Sequence, residues 1–176
     1  IEIISTTYDK EIDSKGQEMM KYVIDAGSRM KSLILGLLDY SRLGKQKEII
    51  EVDCNKLVDQ VKSDMAKTIT DSNALIEAER LPIVNGYAVE LRLLFQNMIS
   101  NAIKFRHKGN EPVIRISCEE ENLNWKFCIS DNGIGIPKKY RVKIFQIFQR
   151  LHARDEYEVY GLGLTHCRKI IELHQG

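Results

Sequence analysis

Val23, Met30 and Leu37 recur every seven residues, Ala26, Leu33 and Tyr40 recur between them, and Gly27, Ile34 and Ser41 run alongside. The repeat continues unbroken from Ser14 to Leu43. It predicts one long helix with a broad apolar stripe. Ser14 with Gln17 reads as a capping box at its start, and Gly44 as its stop. A helix of roughly eight turns needs long partners to cover that stripe. Ile1 to Tyr8 reads as the end of a preceding helix, with Asp9 to Asp13 as the turn. The remaining helices are expected from a second copy of the chain, giving a four-helix bundle.

The charged stretch Lys45-Gln-Lys-Glu48 reads as a linker, and beyond it the pattern changes to mixed helix and strand. Strands are predicted at 49–52, 74–79, 81–84 (an edge strand interrupted by Pro82), 113–118 and 124–130, the last two forming a hairpin with its turn around 119–122. Trp125, Phe127 and Ile129 are expected to alternate into the core. Helices are predicted at 54–66, 87–105 and about 162–174. This order suggests a sheet covered on one face by helices, an α+β domain.

Length and charge narrow the choices. The chain has 176 residues, enough for one full domain and a piece of another. Its net charge of +1 gives no strong pull toward nucleic acid or an anionic membrane. No apolar run approaches the roughly 20 residues a membrane helix needs. The start has no initiator Met, basic region or cleavage site, so the chain is expected to begin inside a longer protein and to carry no secretion signal. Cys54, Cys118, Cys128 and Cys167 lack metal spacing and read as buried, reduced thiols.

Three features carry chemistry. On the helix at 87–105, Leu94, Met98, Ala102 and Phe105 form an apolar face, while Asn97, Asn101 and Lys104 form a polar stripe on which Glu90 also falls. Burying such groups without partners is costly. A metal ion and phosphate oxygens would satisfy them, since an amide oxygen is a hard ligand suited to Mg²⁺; the competing explanation is a solvated face. Second, Ser130-Asp-Asn-Gly-Ile-Gly-Ile-Pro137 ends a strand but is followed by no second alternating strand, as a plain hairpin turn would be. Glycines 133 and 135 let backbone approach a flat ligand, and Asp131 can accept from an exocyclic amine such as adenine's. Third, Gly161-Leu-Gly163-Leu164 opens the last helix, whose free N–H groups suit phosphate.

In this order and spacing the three resemble the GHKL ATPase superfamily, and within it the histidine kinases. The resemblance covers Glu48 to the end. Leu94-Phe-Gln-Asn-Met-Ile-Ser-Asn-Ala-Ile-Lys-Phe-Arg106 resembles the N box, Asp131 to Gly135 the first glycine box, and Phe145-Gln-Ile-Phe148 the F box. Phe148-Gln-Arg-Leu-His152 and Arg154-Asp-Glu-Tyr157 are similar to the phytochrome-like subgroup. The helix at 17–43 resembles the second helix of the dimerisation and phosphotransfer domain. The implied architecture is a Bergerat-type α/β sandwich preceded by a long helix of a dimeric bundle. The implied division is 1–46, a partial dimerisation and phosphotransfer hairpin, and 47–176, the ATP-binding domain, with a final strand pair beyond the chain.

The same resemblance implies residue roles. Asn101 ligates Mg²⁺ beside Asn97, Lys104 reaches the phosphates of ATP, and Phe105 sits near the base. Asp131 reads the adenine amine, while Gly133 and Gly135 shape the base pocket. Phe145 and Phe148 anchor a lid between Ile136 and Tyr160, and Arg150 approaches the γ-phosphate. Gly161, Leu162, Gly163 and Leu164 cradle phosphates. Gyrase-type members carry Glu at the position of Asn97, as a base for water; Asn is a poor base, which favours transfer to a histidine over hydrolysis. The last box reads Val159-Tyr-Gly-Leu-Gly-Leu164, where the family usually has Gly-Thr-Gly-x-Gly-Leu, so a weaker grip on phosphate is expected. None of His107, His152, His166 and His174 has a phosphoacceptor context; the acceptor is expected upstream. The resemblance implies a bacterial two-component kinase, cytoplasmic in this part and itself a phosphoprotein as a whole. Its partners are a second copy, an upstream sensor domain and a response regulator receiver domain, with no nucleic acid and no membrane contact. A degenerate, non-catalytic binding module is the alternative.

Overall fold

A computed structural model describes residues 13–44, 48–122, 124–147, 149 and 161–176, with the side chain of residue 42 left aside. The chain divides into two compact units, residues 1–41 and 42–176. The expected first helix at 1–8, most of the turn at 9–13 and most of the linker at 45–48 lie outside the described residues.

The first unit is dominated by α1, Ser14–Arg42. Its start differs from expectation. The Asp13 carboxylate accepts the Gly16 N–H at 2.8 Å and its carbonyl accepts the Gln17 N–H at 2.9 Å, so Asp13, not Ser14, caps the helix. The seven-residue stripe is on the outside: Val23 is 48% exposed, Met30 60%, Ile34 59% and Leu37 48%. Among the described residues, no helix is long and apolar enough to cross a membrane.

The second unit comprises β1 (Ile50–Asp53), α2 (Cys54–Asp64), α3 (Ala66–Ser72), β2 (Leu75–Ala78), β3 (Ile83–Gly86), α4 (Ala88–Lys104), β4 (Val113–Glu121), β5 (Asn124–Asp131) and α5 (Gly163–Leu173). β1 and β3 pair antiparallel. A second sheet has the order β2-β4-β5, with β2 parallel and β5 antiparallel to β4. Leu57, Val58 and Val61 of α2 and Leu91, Phe95, Ile99 and Ile103 of α4 pack with Ile76, Ile114 and Ile116 of the sheet in one core. Phe95 meets Phe127 edge to face, 5.7 Å between ring centres. Charged pairs such as Arg115 with Glu77 and Lys126 with Glu119 are exposed. The expected α+β sandwich is therefore present.

Five details correct the sequence expectations. The helix predicted at 54–66 ends at Asp64, and a separate α3 follows it through Met65. β3 starts at Ile83 rather than Leu81, because the backbone of Leu81 is engaged by a side chain. The Asn55 Oδ1 accepts the Leu81 N–H at 2.9 Å and its Nδ2 donates to the Leu81 carbonyl at 2.7 Å. β4 runs on to Glu121, so residues 119–121 pair with 124–126 instead of turning. Trp125 is 43% exposed; only Phe127 and Ile129 of the alternating set pack on the core. Cys128, with its side chain on the opposite face of β5, is exposed too, whereas Cys54 and Cys167 are buried.

Asn55 imitates a strand partner for a residue that is 4% exposed. Asn55→Ala leaves two buried backbone groups unpaired, and is expected to cost about 2 kcal/mol. A shift in the urea midpoint without a change in slope checks it.

α5 packs on α4 through Leu94, Cys167 and Ile170, with Leu43, Leu93 and Met98 around them. Gly44 has φ +79°, a left-handed backbone that favours glycine, and a Cβ there would lie 2.8 Å from Leu173 Cδ2. Its N–H faces Glu90 Oε1 at 3.4 Å, and Glu90 is buried at 1% exposed. At the far end of α5, His174 Nε2 accepts the Tyr87 N–H at 3.0 Å, while Nδ1 lies 2.7 Å from the Ile170 carbonyl. Nδ1 therefore carries the proton, and the neutral ring satisfies an amide at the start of α4.

Candidate functional site

α4 places Asn97 and Asn101 one turn apart on the side facing the start of α5. The contact is close: a Cβ built on Gly163 would lie 3.1 Å from Asn97 Oδ1 and 3.9 Å from Asn101 Nδ2. Glycine at 163 thus lets the first turn of α5 approach both amides. Asn97 Nδ2 is buried and has no hydrogen-bond partner among the described residues. A buried amide without a partner is costly, and a ligand oxygen reaching it would satisfy it. Lys104 is half-buried at the end of the same helix, and Phe105 beside it is half-buried too. The solvated-face explanation for this stripe does not hold at Asn97.

The loop after β5 is tied to α4 from below. The Phe105 carbonyl, just past the helix end, accepts the Ile134 N–H at 3.0 Å. Gly133 lies directly over that carbonyl: a Cβ would meet the Phe105 oxygen at 2.4 Å and Asp131 Oδ1 at 2.7 Å. Asp131 Oδ1 accepts the Gly133 N–H at 2.8 Å, and the carboxylate as a whole is exposed. Gly135 has φ +68°, with nothing within 4 Å of an added Cβ. The structure therefore gathers Phe105, Asp131 and Gly133 into one backbone-close cluster at the end of α4.

Sequence reading missed a residue that sets this loop. Asn132 Oδ1 accepts the Val113 N–H at 2.9 Å, and Asn132 Nδ2 donates to the Glu111 carbonyl at 3.0 Å. The sequence analysis gave Asn132 no role of its own within the segment 130–137; its side chain fastens the loop to the start of β4.

The α5 side is built from Gly161 to Leu164. Gly161 has φ +70°, Leu162 is 6% exposed and precedes the helix, and Gly163 and Leu164 form its first two positions. Phe145 ends a 3-10 turn, Lys143–Phe145, and its carbonyl accepts the buried Thr165 hydroxyl at 3.2 Å. Phe148, Arg150, Val159 and Tyr160 lie outside the described residues, as does the second part of the expected lid from residue 150 on. Burial pushes the Cys167 thiol up to about 12 and the Cys54 thiol up to about 11, so neither is a nucleophile at neutral pH. Among the described residues, no three His, Cys, Asp or Glu side chains converge as a metal cage. The arrangement offers amides, backbone N–H groups and one exposed carboxylate, which suits a ligand that is flat at one end and anionic at the other.

Known proteins match this arrangement. Over its whole length the chain is 37% identical to Cyanobacterial phytochrome A of Nostoc sp. and 35% identical to Phytochrome-like protein Cph1 of Synechocystis sp.. It spans 23% of the first and 24% of the second, about a quarter of each. The catalytic domain of histidine kinase ThkA superposes with a TM-score of 0.60 at 26% identity, covering 72% of this chain and 81% of that one. Full-length ShkA in complex with AMPPNP superposes with a TM-score of 0.67 at 21% identity, over 94% of this chain and 35% of that one, which shows the shared fold. Residues 86–176 match the model of the histidine kinase-, DNA gyrase B- and HSP90-like ATPases. That segment holds α4, the Asp131 loop and α5, and by it the chain belongs to this ATPase family.

Proposed function

We propose that this chain is the ATP-binding kinase core of a two-component sensor histidine kinase. It binds ATP with Mg²⁺ and passes the γ-phosphoryl group to a histidine upstream, from which a response regulator receiver domain takes it. The observation that carries this reading is the buried Asn97 Nδ2, without a hydrogen-bond partner among the described residues and set against Gly163 at the start of α5.

Bound ATP–Mg²⁺ supplies the transferable phosphoryl group and the positive charge that draws electrons toward its oxygens. The chain's part is to hold and orient. Asn101, with Asn97 alongside, offers amide oxygen to the ion, and Lys104 offers charge to the phosphates. Gly161 to Leu164 present backbone N–H groups at the helix start, where anions bind. Asp131 accepts from the adenine amine over the close backbone of Gly133, with Gly135 and Phe105 at its sides. Phe145 and Phe148 hold the lid, and Arg150 reaches the γ-phosphate. An amide at position 97 cannot draw a proton from water, so hydrolysis has no base there and transfer to imidazole is favoured.

The exposed stripe of α1 supports assembly. Val23, Met30, Ile34 and Leu37 repeat at bundle spacing and are 48% to 60% exposed. A second copy covers them, with residues 1–46 as the bundle part and 47–176 as the nucleotide part. The sensor domain precedes the bundle, and the reaction takes place in the cytoplasm.

A nucleotide titration tests the reading. At ATP–Mg²⁺ one hundred times its dissociation constant, linkage adds about 2.7 kcal/mol. For a chain of this size the melting temperature should rise by roughly 5–10 °C. Labelled ATP should then transfer its γ-phosphate to an added polypeptide carrying the first bundle helix and its histidine. Absence of any melting shift sinks the kinase reading and favours a non-catalytic module. Steady release of phosphate by the chain alone points to a hydrolase instead.

A further inference from the structure

We infer that Thr165 is a positioning residue for the phosphate end of the nucleotide site, an inference that rests on the ATP-binding reading above. Thr165 is the third residue of α5 and is 5% exposed. A buried hydroxyl needs a partner. It finds none within its own turn: it donates to the Phe145 carbonyl, twenty residues back, at 3.2 Å. That carbonyl belongs to the last residue of the Lys143–Phe145 turn, and Gln146 after it is extended, with φ −78° and ψ 145°.

The same helical turn touches α4. Gly163, two residues before Thr165, sits against the amides of Asn97 and Asn101. The first turn of α5 is thus held between two neighbours, with α4 on the glycine side and the Phe145 turn on the threonine side. α5 itself packs on α4 through Cys167 and Ile170, which lie further along the helix. These apolar contacts fix the body of α5, and the Thr165 hydroxyl adds a directional tie at its first turn. It acts through backbone geometry, with no contact of its own to the nucleotide.

The consequence is selective. Phosphates depend on where the start of α5 points, whereas the adenine end depends on Asp131, Gly133 and Phe105. Loss of the hydroxyl should weaken ATP and leave adenosine unchanged. Calorimetry on the whole chain, with ATP–Mg²⁺ and with adenosine as the two probes, reads this. Thr165→Val keeps the shape and removes the donor. It is expected to weaken ATP–Mg²⁺ about tenfold, equivalent to roughly 1.4 kcal/mol, with adenosine affinity within about twofold. Thr165→Ser should restore ATP affinity. Thr165→Ala is the second variant should the valine form fail to fold, and carries the same expectation.

Equal ATP affinity in the unsubstituted chain and in the valine or alanine variant overturns the inference. So does an equal loss for ATP and adenosine, which marks general damage, and so does failure of serine to rescue. If the unsubstituted chain itself binds neither probe, the ATP-binding reading fails and this inference falls with it. That result is distinct from one in which the chain binds and only the Thr165 variants fail to differ.

Discussion

Gly133→Ala should destabilise the domain by about 3 kcal/mol and remove nucleotide binding, although it adds a single methyl group. The reason is where that methyl would go. It would lie 2.4 Å from the Phe105 carbonyl oxygen and 2.7 Å from Asp131 Oδ1. The first of these is backbone, at the end of a helix whose body lies in the core, and cannot swing aside. Either the loop lifts or the end of α4 moves. If the loop lifts, the bond from the Ile134 N–H to Phe105 and the bond from the Gly133 N–H to Asp131 are both stretched. Gly135→Ala is the control. A Cβ there meets nothing within 4 Å, but φ is +68°. Its cost is conformational only, about 1 kcal/mol. Urea unfolding of the two variants side by side separates the mechanisms. Equal effects would mean that close packing over Phe105 does not govern this loop.

That contrast shows what the sequence could and could not disclose. Both glycines stand in one short motif and looked alike on paper, as two places where backbone comes near a flat ligand. In the fold, one is required by a neighbouring carbonyl and the other by a left-handed turn. A pattern of residue types records that glycine is needed but not which of two reasons applies. Periodicity served better, because burial enforces it. The long helix, α4 and the last helix lie where their apolar spacing placed them, and the β4–β5 hairpin is present with its turn shifted past Glu121. Misplacements came where a side chain replaced backbone pairing. Asn55 took over the backbone of Leu81 and pushed β3 two residues on. Asp13 took the cap that Ser14 and Gln17 seemed suited for. Alternation put Trp125 on the core side of β5, yet the core does not extend that far along the strand. At the site, the polar stripe of α4 was legible, but its depth was not. Only the approach of Gly163 shows that Asn97 is enclosed. The tie from Thr165 to Phe145 joins residues twenty apart, and no local pattern announces it.

Asp131→Asn should abolish measurable ATP binding while leaving the fold intact. The substitution separates the two tasks of one carboxylate. Asp131 Oδ1 accepts the Gly133 N–H at 2.8 Å, and an asparagine carbonyl oxygen can do the same. The loop should therefore keep its shape, held also by Asn132 through Val113 and Glu111. The second oxygen is different. In the proposed complex it accepts a hydrogen bond from the adenine amine, and in the variant an NH₂ group stands there. Two donors then face each other, and the amine loses a charge-assisted bond and gains no substitute. A site built to accept a hydrogen bond discriminates strongly when that acceptor is lost. A loss of about 3 kcal/mol, or roughly 150-fold in affinity, is expected. The melting temperature without nucleotide should stay close to that of the unsubstituted chain, and the rise on adding ATP–Mg²⁺ should vanish. A second probe sharpens the result. A nucleotide whose base presents a carbonyl in place of the amine should bind the variant no worse than it binds the original, because an NH₂ group can donate to it. If ATP affinity is instead unchanged, Asp131 does not read the base, and the flat end of the ligand lies elsewhere than over Gly133.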